Sequence, residues 1–457
     1  MLNRRDLLRN GGLAALGLIL PPLTGPTFLS RKLLAGPVGA GTGAKKMIFI
    51  WQRGGNDAVN TVIPRGDADY SQAIRPSLFI NENEAIHLGN NFAQLHPALD
   101  PMMEIYNHSA LNGIAGPGNL AVLHRIGYPE QSRSHFSAQQ FWENGVPGNE
   151  TLDEGFIYRR FANVPGFPDN PFPGAFLSDS LALSMRGAIP MPAFPASEDY
   201  SFSGSIAEVE RFLGALPSMP GGTDGRGFYG AYGGKPDMEG GPYRDALMPT
   251  GVKLGESVNM VQQALAQGAY VPENGAVYPN NTFGQQLTEI AMLLKRTPAS
   301  LLGVNIGGWD THTGQGRVAG SHPNILGDLA QGIQALSRDL QDIWEDTIVV
   351  TVSEFGRTSI ENGSQGTDHG ASSAMFVAGG NVLGGVYNCD PSTWEAGALF
   401  SENDRYLAAN TDFRVIFAEI FQQHFGDDPA SMDQFMPGYD IAAAQNPNLF
   451  TPLGFLA

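Results

Sequence analysis

Residues 353–380 place acidic, basic and imidazole side chains in one polar segment between two apolar runs. The segment reads SEFGRTSIENGSQGTDHGASSAMFVAGG, and it contains Glu354, Arg357, Asp368 and His369. A surface turn needs only small polar residues such as Gly, Ser and Asn. Carboxylates and imidazoles, in contrast, are common ligands of divalent cations. The segment therefore indicates one wall of a metal-assisted active site.

Similar polar residues follow other apolar runs that we predict to be strands. Asp57 follows KMIFIWQ, Ser134 follows LAVLHRIG, and Asp310 and His312 follow SLLGVNI. Ligand sites in α/β sheets form beyond the carboxyl ends of the strands, so these residues should meet those of segment 353–380 at one edge. Residues i and i+2 of an extended chain point the same way, so Asp310 and His312 could bind one ion together.

Each of these positions also has an ordinary structural interpretation. Asp57 in GGND and Asp368 in TDHG are typical turn residues, while Asp310 and Ser134 are typical helix-capping residues. The combination nevertheless favours one shared site for a divalent cation, with zinc or manganese expected from the mixed carboxylate and imidazole ligands. The predicted metal ligands are Asp57, Asp310, His312, Glu354 and His369.

The elements that would position these residues alternate between predicted strands and helices. Helical periodicity covers residues 255–267, 283–295, 323–344 and 411–425, between apolar strand-like runs. This pattern predicts an α/β fold with a mainly parallel central sheet and helices on both faces. Residues at about 145–250 are rich in Pro, Gly and aromatic side chains, which indicates a cap insertion over one end of the sheet.

The N-terminal residues resemble an export signal. Arg4 and Arg5 precede a short apolar stretch, Leu13–Leu20, which is too short to span a membrane comfortably. Residues 1–45 are therefore predicted to be a twin-arginine signal with a linker, ahead of a single domain over residues 46–457. The alternative is a basic amphipathic start of the fold. We expect a periplasmic or secreted protein that uses the twin-arginine export machinery, with no membrane span in the mature chain.

The overall composition excludes several classes of protein. The chain has 457 residues, of which 42% are hydrophobic and 16% charged, as is typical of folded globular proteins. The formal net charge of −18 argues against a nucleic-acid partner. The single cysteine, Cys389, allows no internal disulfide.

Six segments resemble an exported family called domain of unknown function 1501. They are RGGNDAVNTVIP, SRSHFSAQQFWENG, GGWDTHTGQ, SEFGRT, GTDHG and TDFR. That family belongs to the alkaline-phosphatase-like superfamily, alongside sulfatases and cofactor-independent phosphoglycerate mutases. The resemblance covers about residues 46–450, and it implies an alkaline-phosphatase-like three-layer sandwich. The motifs are specific for the family but not for one activity.

The resemblance also implies roles for single residues. Ser134 is similar to the hydroxyl nucleophile of the superfamily, with Ser132 as the alternative. Asp310, His312 and His369 are similar to the residues of one metal site.

A second metal site is less complete. Asp57 matches the first-strand aspartate of the superfamily. The phosphatase branch has an Asp-His pair where this chain has Glu354 and Phe355, and Phe cannot bind a metal. The resemblance therefore implies either one metal or two unequal metals, such as zinc with magnesium or calcium.

These observations predict a metal-dependent hydrolase or transferase that acts on a phosphate or sulfate ester of a small molecule or polymer. Arg357 or Arg53 is expected to bind two oxygens of the transferred group, although a structural ion pair is an equally ordinary role for either arginine. His135 is expected beside the ion or in packing. The alternative function is a non-catalytic, metal-containing binding protein of the envelope or cell surface. The predicted substrate-binding residues are Arg53, Asn56, His135 and Asp368.

Overall fold

The computed structural model describes residues 44–107, 118–163, 170–188, 191–201, 254 and 256–457. The predicted export signal, apart from residues 44 and 45, and most of the predicted cap lie outside the described residues. The described part of the predicted cap includes Gly174–Leu177, which is a strand of the large sheet rather than part of a cover over it.

The described strands form one large sheet and one small sheet. Their bounds are β1 Lys46–Gln52, β2 Val62–Pro64, β3 Ile86–His87, β4 Ala93–Leu95, β5 Leu120–Gly127, β6 Gly174–Leu177, β7 Leu301–Ile306, β8 Thr347–Ser353, β9 Ser373–Gly379, β10 Gly385–Tyr387 and β11 Thr411–Asp412.

The large sheet has eight strands in the order β10-β5-β9-β8-β1-β7-β6, with β11 also paired to β5. Strand β1 runs parallel to β7 and β8, β6 runs parallel to β7, and β10 and β11 run parallel to β5. Strand β9 is antiparallel to both of its neighbours. The prediction of an α/β fold with a mainly parallel central sheet is therefore confirmed.

The described α-helices vary from one to five turns. Their bounds are α1 Ala58–Thr61, α2 Met103–Tyr106, α3 His135–Asn144, α4 Phe156–Ala162, α5 Thr282–Arg296, α6 Ser321–Asp339, α7 Phe413–Glu419, α8 Met432–Phe435 and α9 Tyr439–Gln445. Helical backbone also covers residues 256–266. No helix in this part of the chain combines the length and hydropathy that a membrane span requires.

Alternate side chains of β1 enter two different cores. Ile48 and Ile50 pack with α5 and α6 on one face, while Phe49 packs with α7 on the other. Because side chains of a strand alternate between faces, a strand buried on both sides reads as a continuous apolar run, as KMIFIWQ does. In α6, buried residues recur every three or four positions, as its amphipathic sequence predicts.

The antiparallel strand β9 is an exception within the mainly parallel sheet that we predicted. No helix lies between β8 and β9. The chain leaves β8 at its carboxyl end and re-enters the sheet through β9 at the same edge. Both ends of loop 354–372 are therefore held beside the carboxyl end of β8, which is the edge where ligand sites form.

Three buried histidines should make the free energy of unfolding smaller at acidic pH. Burial lowers the pKa of His124 and of His322 to about 3, and that of His424 to about 4. An unfolded histidine has a pKa of about 6.5, so below that pH the unfolded chain binds more protons than the folded chain. The free energy of unfolding should therefore fall as pH drops from 6.5 towards 4, by about 1 kcal/mol per pH unit for each histidine.

Urea unfolding at several pH values between 7.5 and 4.5 measures this slope. A His124→Gln variant, which cannot be protonated at that position, should show a shallower slope by about one proton. Equal slopes for both proteins would contradict the prediction.

Candidate metal centre

Three segments bring metal-capable side chains together at the carboxyl edge of the large sheet. His135 is the first residue of α3, Asp310 and His312 follow β7, and His369 lies in the loop after β8. Ligand atoms of His135, Asp310 and His369 all lie within 4.8 Å of one another. The Nε2 atom of His312 lies 3.0 Å from Nε2 of His369 and 3.1 Å from Oδ1 of Asp310. We call these four residues the metal-centre cluster.

The distances within the metal-centre cluster fit one small cation. Nε2 of His369 lies 3.2 Å from Oδ1 of Asp310, and Nε2 of His135 lies 3.5 Å from Oδ2 of the same carboxylate. In a tetrahedral zinc site with bonds near 2.0 Å, neighbouring ligand atoms are about 3.3 Å apart. His135, Asp310 and His369 therefore have the donor types of a zinc-like site and ligand atoms near enough to share one ion, with His312 next to two of them.

Each imidazole of the cluster uses its Nδ1 atom for an acceptor outside the cluster. The pairs are His135 with Glu354 at 2.9 Å, His312 with Asp368 at 3.1 Å, and His369 with the carbonyl of Arg133 at 2.8 Å. Carboxylates and carbonyls only accept hydrogen bonds, so in a neutral imidazole Nδ1 carries the proton and Nε2 keeps its lone pair. Three lone pairs then face the Asp310 carboxylate, an arrangement that a bound cation would stabilise.

The charge states of Asp310 and His369 suit a metal, whereas the hydrogen bond to Glu354 raises the pKa of His135. Burial would raise the pKa of Asp310, but the hydrogen bond and charge of Arg357 outweigh it and lower that pKa, so Asp310 is ionised. Burial lowers the pKa of His369, which keeps its imidazole neutral. Ionised carboxylates and neutral imidazoles are the forms that bind metals.

Glu354, a predicted ligand, bonds to His135 through Oε1, while its Oε2 has no hydrogen-bond partner. Its side chain is fully buried, and Oε1 accepts hydrogen bonds from His135, from the amide of Gly54 at 2.8 Å and from Gln139 at 3.0 Å. Burial would raise the pKa of Glu354, but the bonds from His135 and Gln139 lower it. A carboxylate behind a metal-binding histidine fixes the ring and its tautomer. His135, assigned from the sequence to substrate binding or packing, thus joins Asp310, His312 and His369.

Replacement of Glu354 by Gln should weaken cation binding about 10- to 100-fold, because His135 loses its charged acceptor. Equilibrium dialysis with Zn²⁺ measures the affinity. The visible spectrum of the Co²⁺-loaded variant should show the same coordination number for the ion as the spectrum of the parent protein. A spectrum that indicates one ligand fewer would instead show that Glu354 binds the ion directly.

Asp57, another predicted ligand, forms a buried ion pair away from the metal-centre cluster. Arg75 donates to both carboxylate oxygens at 2.6 and 3.0 Å, and Gln315 donates to Oδ2 at 2.6 Å. Both charged side chains are fully buried. Burial would raise the pKa of Asp57, but the charge and hydrogen bonds of Arg75 lower it. Arg75 lies in the plain segment AIRPS, which carries no signal of this role.

The Asp57→Asn variant should be destabilised by about 3–5 kcal/mol, because it leaves the charge of Arg75 buried without a partner. Its zinc stoichiometry should stay the same as that of the parent. Denaturant unfolding and metal analysis test the two parts separately. If the variant lost its metal but kept the stability of the parent, Asp57 would be a metal ligand after all.

Arg357 holds loops together rather than presenting its guanidinium to the site. It is 2% exposed, and it donates to Asp310 and to carbonyl oxygens of three neighbouring loop segments. Those acceptors are the carbonyls of Gly54, Gly55, Trp309 and Thr367. The geometry thus favours the structural role that the sequence left open.

The other predicted substrate-binding residues also have internal partners. Arg53 donates to Asn305 at 2.9 Å and to Glu143 at 2.7 Å. Asn56 is fully buried and bonds to Gln52, Thr61 and His322. Asp368 accepts from His312, Asn362 and Arg405. Of these three, Asp368 is the one that contacts the metal-centre cluster.

Ser134 is exposed beside the metal-centre cluster. It immediately precedes His135 as the N-cap residue of α3, yet its hydroxyl makes no capping hydrogen bond. Its backbone amide donates to the hydroxyl of Ser132 at 3.3 Å. The amide groups at the start of a helix attract anions, so an anionic group could bind next to this free hydroxyl.

The fold and the site define a mixed α/β protein with a mainly parallel sheet and a candidate His/Asp metal centre at its carboxyl edge. Residues 252–394 match the model of the family described as Protein of unknown function (DUF1501). The family predicted from the sequence motifs is therefore confirmed over those residues.

Comparison with solved structures gives a weaker similarity. The crystal structure of the PsFucS1 sulfatase from Pseudoalteromonas sp. is 12% identical, with a TM-score of 0.30. The alignment covers 76% of this chain and 65% of the sulfatase chain. A similarity at this TM-score supports no conclusion about fold or activity. The comparison with curated proteins found no match.

Proposed function

We propose that this protein is an exported metal-dependent hydrolase or transferase of a phosphate or sulfate ester, with Ser134 as its nucleophile. The observation that supports the proposal is that Ser134, exposed and without a capping hydrogen bond, is the N-cap residue of α3 and immediately precedes His135 of the metal-centre cluster. The proposal includes an alkaline-phosphatase-like three-layer arrangement, a twin-arginine signal in residues 1–45 and a cap over one end of the sheet.

The residues of the site would divide the chemistry between them. His135, Asp310, His312 and His369 would hold a divalent cation, with zinc or manganese expected, which supplies Lewis-acid stabilisation of developing negative charge. Ser134 Oγ would lose its proton and form a bond to phosphorus or sulfur while the bond to the leaving oxygen breaks and that oxygen takes up a proton. Water or an acceptor hydroxyl would then give up its own proton, form a bond to the same phosphorus or sulfur and release Ser134 Oγ, which is protonated again. Backbone amides of the first turn of α3 would hold the oxygens of the transferred group.

Metal-loaded protein should hydrolyse members of aryl phosphate or aryl sulfate panels. Metal analysis of the native protein is the first step, since the proposal requires at least one bound divalent cation per chain. A well-folded protein that takes up no metal, or metal-loaded protein that is silent on both panels, would contradict the enzyme proposal.

A second candidate is a non-catalytic binding protein that keeps the cation as a structural element. It is favoured by the ion pair of Asp57 with Arg75 and by the buried phenylalanine at position 355, which leave a second cation centre without Asp57 and without a histidine at position 355. In that case chelation should lower the thermal unfolding temperature, both panels should stay silent, and Ser134→Ala should have no effect in cells.

A further inference from the structure

Two partly exposed arginines stand beside the metal-centre cluster and share one tyrosine ring. The guanidinium of Arg133 lies 4.5 Å from the ring centre of Tyr406, and that of Arg405 lies 5.6 Å from it. The side chains are 37% and 53% exposed. Contact with an aromatic face restrains a guanidinium without using its N–H groups. We call Arg133, Arg405 and Tyr406 the arginine pair.

Each arginine of the pair keeps unused hydrogen-bond donors. Arg133 donates one bond to Glu402 at 3.1 Å, and Arg405 donates one bond to Asp368 at 3.1 Å. Within the described residues, their remaining N–H groups have no partner. Because a guanidinium has five donors in a fork, both can still bind a tetrahedral or planar anion.

Both arginines are tied directly to the metal-centre cluster. The carbonyl of Arg133 accepts the Nδ1 proton of His369, and Arg405 shares Asp368 with His312. Each guanidinium is paired with one carboxylate, Glu402 or Asp368, and the pair places two arginines beside the cluster on a chain with a net charge of −18. An anion held by the cluster and the start of α3 would thus have a cationic neighbour within reach.

We propose that the arginine pair is a second anion subsite, which selects esters that carry at least two anionic groups. This inference rests on the proposed function, because it assigns the reacting group to the cluster and Ser134. The second group is a sulfate, phosphate or carboxylate of the same molecule, bound by the two guanidinium groups while the first group occupies the reaction site. Neither arginine takes part in bond formation.

Binding of unreactive sulfonates tests the subsite without any turnover. Benzene-1,3-disulfonate and naphthalene-2,6-disulfonate are compared with their monosulfonates by calorimetry on the metal-loaded full chain. At least one disulfonate should bind about 10-fold more tightly than its monosulfonate, and Arg405→Gln or Arg133→Gln should remove that preference. The preference should shrink as ionic strength rises.

The matched control is Arg338→Gln. Arg338 is 33% exposed and pairs with Glu104, but it lies at the end of α6, near the amino edge of the sheet. It should keep the disulfonate preference. Equal affinities for mono- and disulfonates in the parent, or a preference that survives both arginine substitutions, would overturn the inference. A disulfonate preference in a protein that is silent on both ester panels would overturn the enzyme proposal and leave the subsite intact.

Discussion

Replacement of Asp310 by Ala is expected to lower the affinity for Zn²⁺ by at least about 100-fold, beyond the effect of losing an outer hydrogen-bond partner. Asp310 contacts Nε2 of His135, His312 and His369, and it supplies the one negative charge of the metal-centre cluster. Without it, three imidazoles and no carboxylate remain in the cluster beside the positive charge of Arg357. Equilibrium dialysis followed by elemental analysis measures the loss.

The control for this variant is Asp342→Ala. Asp342 is also largely exposed and pairs with Lys295, but it precedes β8 at the opposite end of that strand from the cluster. Its metal affinity should equal that of the parent. Because Asp310 is also the carboxylate partner of the buried Arg357, its removal should lower the stability of the protein, and thermal unfolding of the metal-free form checks that the variant is still folded. Full zinc occupancy in Asp310→Ala would contradict the metal centre described above.

Replacement of Ser134 by Ala is expected to reduce kcat on aryl phosphates or sulfates by at least about 1,000-fold, since the nucleophile itself is removed. The hydroxyl makes no capping bond, so its loss should change neither the unfolding temperature nor the metal content. Steady-state kinetics, thermal unfolding and metal analysis on one preparation separate these effects.

Ser132→Ala is the matched control for the nucleophile. The Ser132 hydroxyl accepts a hydrogen bond from the amide of Ser134, so it positions the start of α3. Its loss should lower kcat by about 10-fold or less, in line with the modest free energy of one hydrogen bond. If Ser132→Ala abolished turnover and Ser134→Ala did not, Ser132 would be the nucleophile.

Several features of the site follow from local sequence. Asp310 and His312 are two positions apart after a predicted strand, and His369 lies in the polar segment before β9. Strand ends and polar loops are readable from hydrophobic periodicity, and the carboxyl edge of a mainly parallel sheet is where such loops meet. The structure brings these three residues together at that edge, whereas their role as ligands stays a prediction.

The partners of the buried charges were not readable in the same way. Asp57 and Glu354 are carboxylates and therefore have the chemistry of metal ligands. In the structure, however, Asp57 forms an ion pair with Arg75, and Glu354 bonds to His135. Nothing in the spacing of these residues distinguishes a buried ion pair from a metal bond. The direction of β9 was likewise hidden, because an apolar run has the same pattern in either orientation.

The amino-acid sequence by itself determined the mixed α/β class, the strands and helices, the family resemblance and the edge of the sheet where a site would form. These depend on periodicity and on residue types that lie near one another along the chain. Only the tertiary structure decided that His135 lies with Asp310 and His369, that Asp57 pairs with Arg75 and Arg357 with Asp310, and that Arg133 and Arg405 lie near His369 and Asp368. The physical reason is that each side chain binds the nearest complementary group in space, and the packing of the sheet and its loops decides which group that is.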